Sequence, residues 1–432
     1  MHGRASGKGA VAPRATFGDV FAVGEFRALW SSEVLSVAGD RLALVALTLL
    51  VYDRTRSPLL SATVYAVGFL PYVIGGLFLA ELADRYPRRL VMVVCDLARA
   101  ALVAVMLVPH LPLWALVALL FSATMFTPLF EAARAAITPE ILHGERYVLG
   151  AAVTSTTFLL AETGGAAAGG VAVAFVGVRS SLAIDVVTFV LSALLIGLGT
   201  RRRPAAARPE TAQPSPLARL RTGFRVVFGN RFLRILLLFG WLAVFYTIPA
   251  GIAAPYVAHL GGGPIAAGLV IASTSLGTAI AMPFFSRFTG PRQRADWMGP
   301  LAVLTCATLV LTVFRPGLVV SLVIFSLSSA FGSYQIAANT AFVIRTPNDR
   351  RAQAFGIASM GVIVGQGAGF VAAGAAAEVV SPAIVIAVGG GIGAVVAGFL
   401  TLRWRRLSPP GGRHVLGRRG SPDTTERPVS TE

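Results

Sequence analysis

The sequence predicts an all-α integral membrane protein with twelve transmembrane helices arranged as two six-helix bundles. Three observations predict it. Of 432 residues, 55% are hydrophobic and 13% charged, with mean hydropathy +0.73, whereas soluble domains carry about 25% charged residues. Apolar runs of roughly the 20 residues needed to cross a bilayer recur along the whole chain. A polar stretch at 199–231, with Pro204, Pro209, Pro214 and Pro216, divides those runs six and six.

The runs fall at 30–52, 60–80, 90–109, 113–136, 148–175 and 180–198, then at 232–257, 264–285, 297–314, 318–344, 354–379 and 382–402. They are numbered spans 1 to 12 below. The predicted domains are a cytoplasmic tail at 1–29, a bundle at 30–198, a cytoplasmic linker at 199–231, a second bundle at 232–402 and a tail expected to be disordered at 403–432. Residues 1–27 are polar and basic, and the first apolar run is too long for a leader's h-region, so no secretory leader is expected.

Charge distribution orients the spans. With both ends cytoplasmic, thirty of the 37 Lys and Arg residues fall on the inner side. The outer loops hold Arg54, Arg56, Arg179 and Arg315. That asymmetry is the positive-inside pattern, and it places a multi-pass chain in the plasma membrane with both termini cytoplasmic. The formal charge of +17 is dispersed over short loops, so it does not point to nucleic acid. Cys95 and Cys306 lie inside apolar runs, and the five His residues are scattered. Neither a disulfide framework nor a metal site is expected. No Walker A pattern and no cofactor motif is present.

The two halves repeat at a spacing of about 207. Phe17, Val20, Phe21, Arg27 and Leu29 recur as Phe224, Val227, Phe228, Arg234 and Leu236. Thr138-Pro139 with Gly150 recurs as Thr346-Pro347 with Gly356. Two six-helix repeats in the same topology place a substrate cavity between them. In the linker, Leu217, Leu220, Phe224, Val227 and Phe228 share a helical face, with Arg219, Arg221 and Arg225 largely elsewhere. That pattern predicts an amphipathic helix on the cytoplasmic leaflet.

Charges inside the spans are the candidate working groups, because each costs a few kcal/mol or more unless paired or used. Asp40 sits near the centre of span 1, Glu33 lies seven residues earlier on the same face, and Glu162 is central in span 5. Desolvation favours the neutral carboxyl, the property a proton-coupling group needs; a permanent ion pair is the alternative. Asp96 and Arg99, three apart in span 3, read as an internal pair, and Asp185 reads as structural near the outer end of span 6. The repeat mates of Asp40 and Glu162 are Thr247 and Gly369. Ion coupling is therefore expected in the first half and substrate contact in the second, where Trp241, Phe245, Tyr246, Gln335 and Asn339 suit a bulky amphipathic ligand.

Loop 2–3 reads Ala80-Glu81-Leu82-Ala83-Asp84-Arg85-Tyr86-Pro87-Arg88-Arg89. It resembles motif A of the major facilitator superfamily, departing from it at Ala80, Pro87 and Arg89. Phe26-Arg27-x-Leu29-Trp30, Gly39-Asp40 and Asp185-Val-Val-Thr-Phe189 resemble the drug/proton antiporter branch with macrolide-efflux-type and enterobactin-exporter-like members. The resemblance covers the chain apart from its tails. It implies a gating role for Asp84, Arg85, Arg88 and Arg89, with Asp84 at the end of span 11, joined by Glu131 and Arg134. It also implies that spans 1, 4, 7 and 10 line the cavity. The antiporter glycine motif of span 5 is reduced to Gly165-Ala166-Ala167-Ala168-Gly169-Gly170, without its proline.

The expected function is secondary active export of hydrophobic or amphipathic small molecules, drug-like or siderophore-like, against protons, by a monomer. An uptake symporter or facilitator fits the sequence with the direction reversed. A membrane-embedded enzyme would need converging His, Ser or carboxyl groups at one membrane face, and a scaffold has no use for mid-membrane carboxylates.

Overall fold

The computed structural model describes residues 16–78, 85–204 and 216–407. All regular structure among them is helical. Ten of its helical stretches are long and apolar enough to cross a membrane. One of these, Glu145–Gly199, is two spans in one run, broken where Gly177 adopts φ +80°. That left-handed conformation is open to glycine without a Cβ penalty, so spans 5 and 6 meet with no intervening loop. The remaining span, span 3, is Arg88–Met106, which carries Arg88, Arg89, Asp96 and Arg99 in 19 residues.

The other spans follow the apolar runs. Span 1 is Gly24–Thr55, longer than the run itself. Span 2 is Pro58–Val67 followed by Leu70–Phe78, and span 4 is Leu113–Thr124 followed by Thr127–Ile141. Span 7 is the most broken, running from Arg231 to His259 in four pieces. Pro249 and Pro255 lack the N–H that the carbonyls of Phe245 and Gly251 would accept, which interrupts the ladder. Span 8 is Pro264–Phe288, and span 9 is Pro291–Ala307 ending in a 3-10 turn, Thr308–Phe314. Span 10 is Leu318–Phe331 followed by Tyr334–Arg345. Spans 11 and 12 are Arg351–Ala377 and Pro382–Leu407.

An even number of spans puts residues 24 and 407 on one face, here the terminal face; loops 1–2 and 11–12 lie on the far face. The two six-helix halves meet along spans 2 and 11 and along spans 5 and 8. At the second crossing the backbones touch: a Cβ on Gly268 would lie 2.7 Å from the carbonyl of Ala166 and 2.8 Å from the Cα of Gly170. Small residues permit such approach between membrane helices, so the proline-free glycine stretch of span 5 serves as a packing surface. Gly374 of span 11 likewise lies against Leu59 and Ala62 of span 2. Beside it, Glu378 Oε1 accepts from Ser57 Oγ at 2.5 Å and from the Leu59 amide at 3.0 Å. Both contacts close the halves together at the far face.

The linker helix is Pro216–Gly229. The sequence pattern predicts a surface helix, yet Val227 is fully buried and Gly223 packs onto the Gln353 backbone of span 11. The helix is docked on the second half, with Arg221, Phe224 and Arg225 exposed.

Candidate functional site

Span 1 supplies the axis of the site. Glu33, Ser36 and Asp40 recur at helical spacing on its inner surface, and Glu33 and Asp40 are separated by about 10 Å along the axis at 1.5 Å per residue. They open onto a cavity of about 330 Å³ lined mainly by the first six spans. From the second half, Ile363 and Gln366 of span 11 reach its wall.

The charges form three clusters. Arg134 of span 4 binds Glu33 through two contacts, at 2.9 and 3.0 Å. Arg41 binds Glu162 of span 5 at 2.6 Å and lies over the Phe69 ring, 5.9 Å from its centroid. Arg99 of span 3 is the hub of the third. It is 1% exposed, donates to Ser36 Oγ at 3.0 Å and to Asp40, and lies 3.6 Å from Asp96 Oδ1. Its guanidinium lies 4.1 Å from the centroid of the Phe189 ring of span 6, a cation–π contact that adds to the ion pairs. Ser192 donates to the other Asp96 oxygen at 2.5 Å.

Two carboxyl groups stand outside these pairs. Glu131 lines the cavity, one helical turn from Arg134. Asp185 lines it too, 1% exposed. Thr188 donates to its Oδ1 at 3.2 Å, while its buried Oδ2 has no hydrogen-bond partner. Five carboxyl and three guanidinium groups thus face one space, and Asp96 adds a sixth carboxyl through Arg99. A buried charge without a partner costs several kcal/mol, so an arrangement with twice as many carboxyls as guanidiniums has a natural place for protons or a cationic ligand.

The structure differs from the sequence expectation at several residues. Asp40 and Glu162 are each held by an arginine. Arg99 reaches across to span 1 and joins Asp40 as well as Asp96. Asp185 lies deep beside span 1 instead of at an outer end, because Gly39 lacks the Cβ that would collide with Asp185 and Thr188. The Gly39-Asp40 pair was visible in the sequence; its partner on span 6 was not.

The gate residues divide. Asp84 lies outside the described residues. Arg85 is exposed. Arg88 donates to the Ala136 carbonyl at 3.0 Å and pairs with Glu140, and Arg89 donates to the Gly197 carbonyl. Both arginines therefore hold the ends of spans 4 and 6 within the first half, where a cation opposes the helix dipole. Glu131 and Arg134 line the cavity, where Arg134 pairs with Glu33.

None of the five expected substrate contacts lines this cavity. Gln335 donates to Tyr246 Oη at 3.0 Å and to the Gly240 carbonyl at 3.3 Å, tying spans 7 and 10. Trp241 donates to the Ala358 carbonyl at 3.2 Å and packs on Gly361 of span 11. Phe245 packs on Gly393 of span 12, and Asn339 is exposed. Gln366 was not anticipated; it donates to Thr247 Oγ1 at 3.3 Å. Thr247 is the repeat mate of Asp40, which is the signal that could have drawn attention to it.

Comparisons with known proteins agree with this architecture. Macrolide efflux protein A of Streptococcus pyogenes is 23% identical over 247 residues, covering 56% of this chain and 61% of that protein. Its namesake in Enterococcus faecalis is 25% identical over 205 residues, covering 46% and 63%. The chain thus spans less than two thirds of the length of these relatives. Among solved structures, a POT family transporter in complex with a thioalcohol-conjugated peptide superposes with TM-score 0.71 at 12% identity, over 90% of this chain and 97% of that one. A bacterial homolog of the human lysosomal transporter Spinster, inward-facing and unoccupied, gives 0.65 at 16%, over 94% and 100%. These likenesses concern the fold. A profile of the Major Facilitator Superfamily matches residues 29–252 and 247–431, and with two such six-helix repeats covering nearly all of it, the chain belongs to that superfamily.

Proposed function

We propose that the protein is a proton-coupled exporter of hydrophobic or amphipathic small molecules, working by alternating access in the plasma membrane with both termini cytoplasmic. The observation that carries this reading is the cavity with six associated carboxyls and three guanidiniums. Fully ionised, it would hold a net charge of minus three in a low-dielectric space. Protons meet that surplus when the cavity is empty, and leave when a cationic substrate enters. Asp40, Glu33 and Glu162 remain the proposed coupling groups, and Asp185, with its unpartnered oxygen, joins them.

Two further features support export of an amphipathic cation. Phe69, Tyr72 and Phe158 give the cavity an apolar, aromatic wall beside Glu162. A substrate ammonium can displace Arg41 from Glu162 while its apolar body lies on these rings. The curated relatives are macrolide exporters by name, and macrolides carry such an amine. The contacts of Glu378 and Gly374 hold the halves together on the face away from the termini; with the termini cytoplasmic, as proposed, the cavity belongs to a state that receives substrate from the cytoplasmic side. The proposed rocking units are residues 30–198 and 232–402, joined by the linker 199–231. Trp241, Phe245, Tyr246, Gln335 and Asn339 are proposed to approach the substrate in other states of the cycle, and Arg85, Arg88 and Arg89 with Asp84 to govern the cytoplasmic side.

The test is a pH gradient in inside-out vesicles. Adding a macrolide collapses the gradient in vesicles with the wild-type protein and leaves it intact with Asp40→Asn. A gradient unaffected by macrolides, lipophilic cations and siderophores, with folded protein present, overturns the coupling and the direction together.

A further inference from the structure

A second concavity lies away from the charged cavity, where the linker helix docks on spans 7 and 11. Its volume is about 810 Å³. The walls are Leu220, Phe224 and Phe228 of the linker helix, Trp241 of span 7, and Met360 and Val364 of span 11. Phe224 and Phe228 stack with centroids 4.2 Å apart, and Phe224 is 55% exposed. Among the lining residues one is charged, Arg221, and none is acidic.

Arg225 follows Arg221 by one helical turn and is exposed like it. Residues four apart are neighbours on a helix surface, so Arg225 stands next to Arg221, which lines the groove. The site therefore offers an acyl-sized apolar trough with Arg221 on its wall and Arg225 beside it. Guanidiniums bind phosphate oxygens with charge-assisted, often bidentate hydrogen bonds, and basic residues on an amphipathic helix favour anionic headgroups.

We propose that this groove is a specific site for one anionic phospholipid of the cytoplasmic leaflet, its phosphate held by Arg221 and Arg225 and an acyl chain seated along Phe224, Phe228, Trp241 and Val364. The site has a mechanical consequence. Gly223 fastens the linker helix to the backbone of span 11, and span 11 also carries Gln366 to the cavity and Gly374 to the far-face contact. A lipid wedged between the linker helix and span 11 thus bears on the element that joins the two halves.

Native mass spectrometry of the full-length, delipidated protein in detergent tests this, with dioleoylphosphatidylglycerol or dioleoylphosphatidylcholine added back. One phosphatidylglycerol per protein should be retained on the order of tenfold more than phosphatidylcholine, the preference two arginines give near an anionic headgroup. Arg221→Gln with Arg225→Gln, both on exposed side chains, should bring phosphatidylglycerol down to the phosphatidylcholine level. Val364→Trp should fill the trough and lower phosphatidylglycerol retention with both arginines in place; Phe224→Ser serves if that variant does not fold. Equal retention of the two lipids by the wild type overturns the proposal. So does a preference that survives loss of both arginines, or phosphatidylglycerol binding untouched by the trough variants, which would mark surface attraction alone.

Discussion

Replacing Glu378 with alanine should loosen the far face. Its carboxylate accepts from Ser57 Oγ at 2.5 Å and from the Leu59 amide at 3.0 Å. Ser57 is also the N-cap of span 2, accepting from the Leu60 amide at 3.1 Å, so a carboxylate from one half caps a helix of the other. The side chain is exposed, which keeps the value near that of an ordinary cap, about 1 kcal/mol. At 1.4 kcal/mol per factor of ten, the far-open population should rise about fivefold. Spin labels at Asp53 and His259, exposed on the far face in the first and second halves, report the separation by pulsed electron resonance. The native cysteines are buried.

The two hydrogen bonds hold the Glu378 carboxyl below the ordinary glutamate value of 4.5. A group depressed in the closed state stabilises that state above its ordinary value and loses the contribution as pH falls through the depressed one. Acidifying the far-face side below about pH 4.5 should open the wild type and leave Glu378→Ala unchanged. A distance distribution identical in both proteins at neutral pH would refute the latch.

Three other outcomes follow from the cavity and its packing. Arg99→Met strands Asp40 and Asp96 and should cost about 3–5 kcal/mol, seen as a lowered Tm; adding Asp40→Asn should recover part of it. Gly268→Leu drives a side chain into the Gly170 backbone and should lower stability by about 1–3 kcal/mol, with the labelled far face widened. Glu162→Gln should weaken efflux of a cationic macrolide on the order of tenfold in apparent KM while sparing an uncharged analogue, because it removes a partner worth one charge-assisted contact.

The spans were legible because a bilayer demands long apolar runs, and the polar 199–231 stretch interrupts them once. The same rule marked Asp40, Glu33 and Glu162, since a charge in such a run stands out. It could not reveal partners. Arg99 and Asp185 belong to spans whose contacts are set by which glycine faces which helix, and Gly39 gives no sign in a hydropathy profile. The aromatic residues of span 7 were a weaker guide. Trp241 and Phe245 turned to span 11 and span 12, in a span broken into four pieces whose faces follow tertiary packing and not one helical period. The turn expected between spans 5 and 6, at 176–179, falls at Gly177; hydropathy located it but could not show that a single left-handed residue makes the whole turn.

The central claim is that substrate and protons compete for one carboxyl-rich cavity. It is met most directly by purified protein in weakly buffered detergent, titrated with a macrolide near neutral pH while proton release is recorded. The account predicts protons released in proportion to bound macrolide, reduced when Asp40→Asn and Asp185→Asn are combined. Macrolide binding shown by a raised Tm, with no proton leaving the wild type, would contradict it.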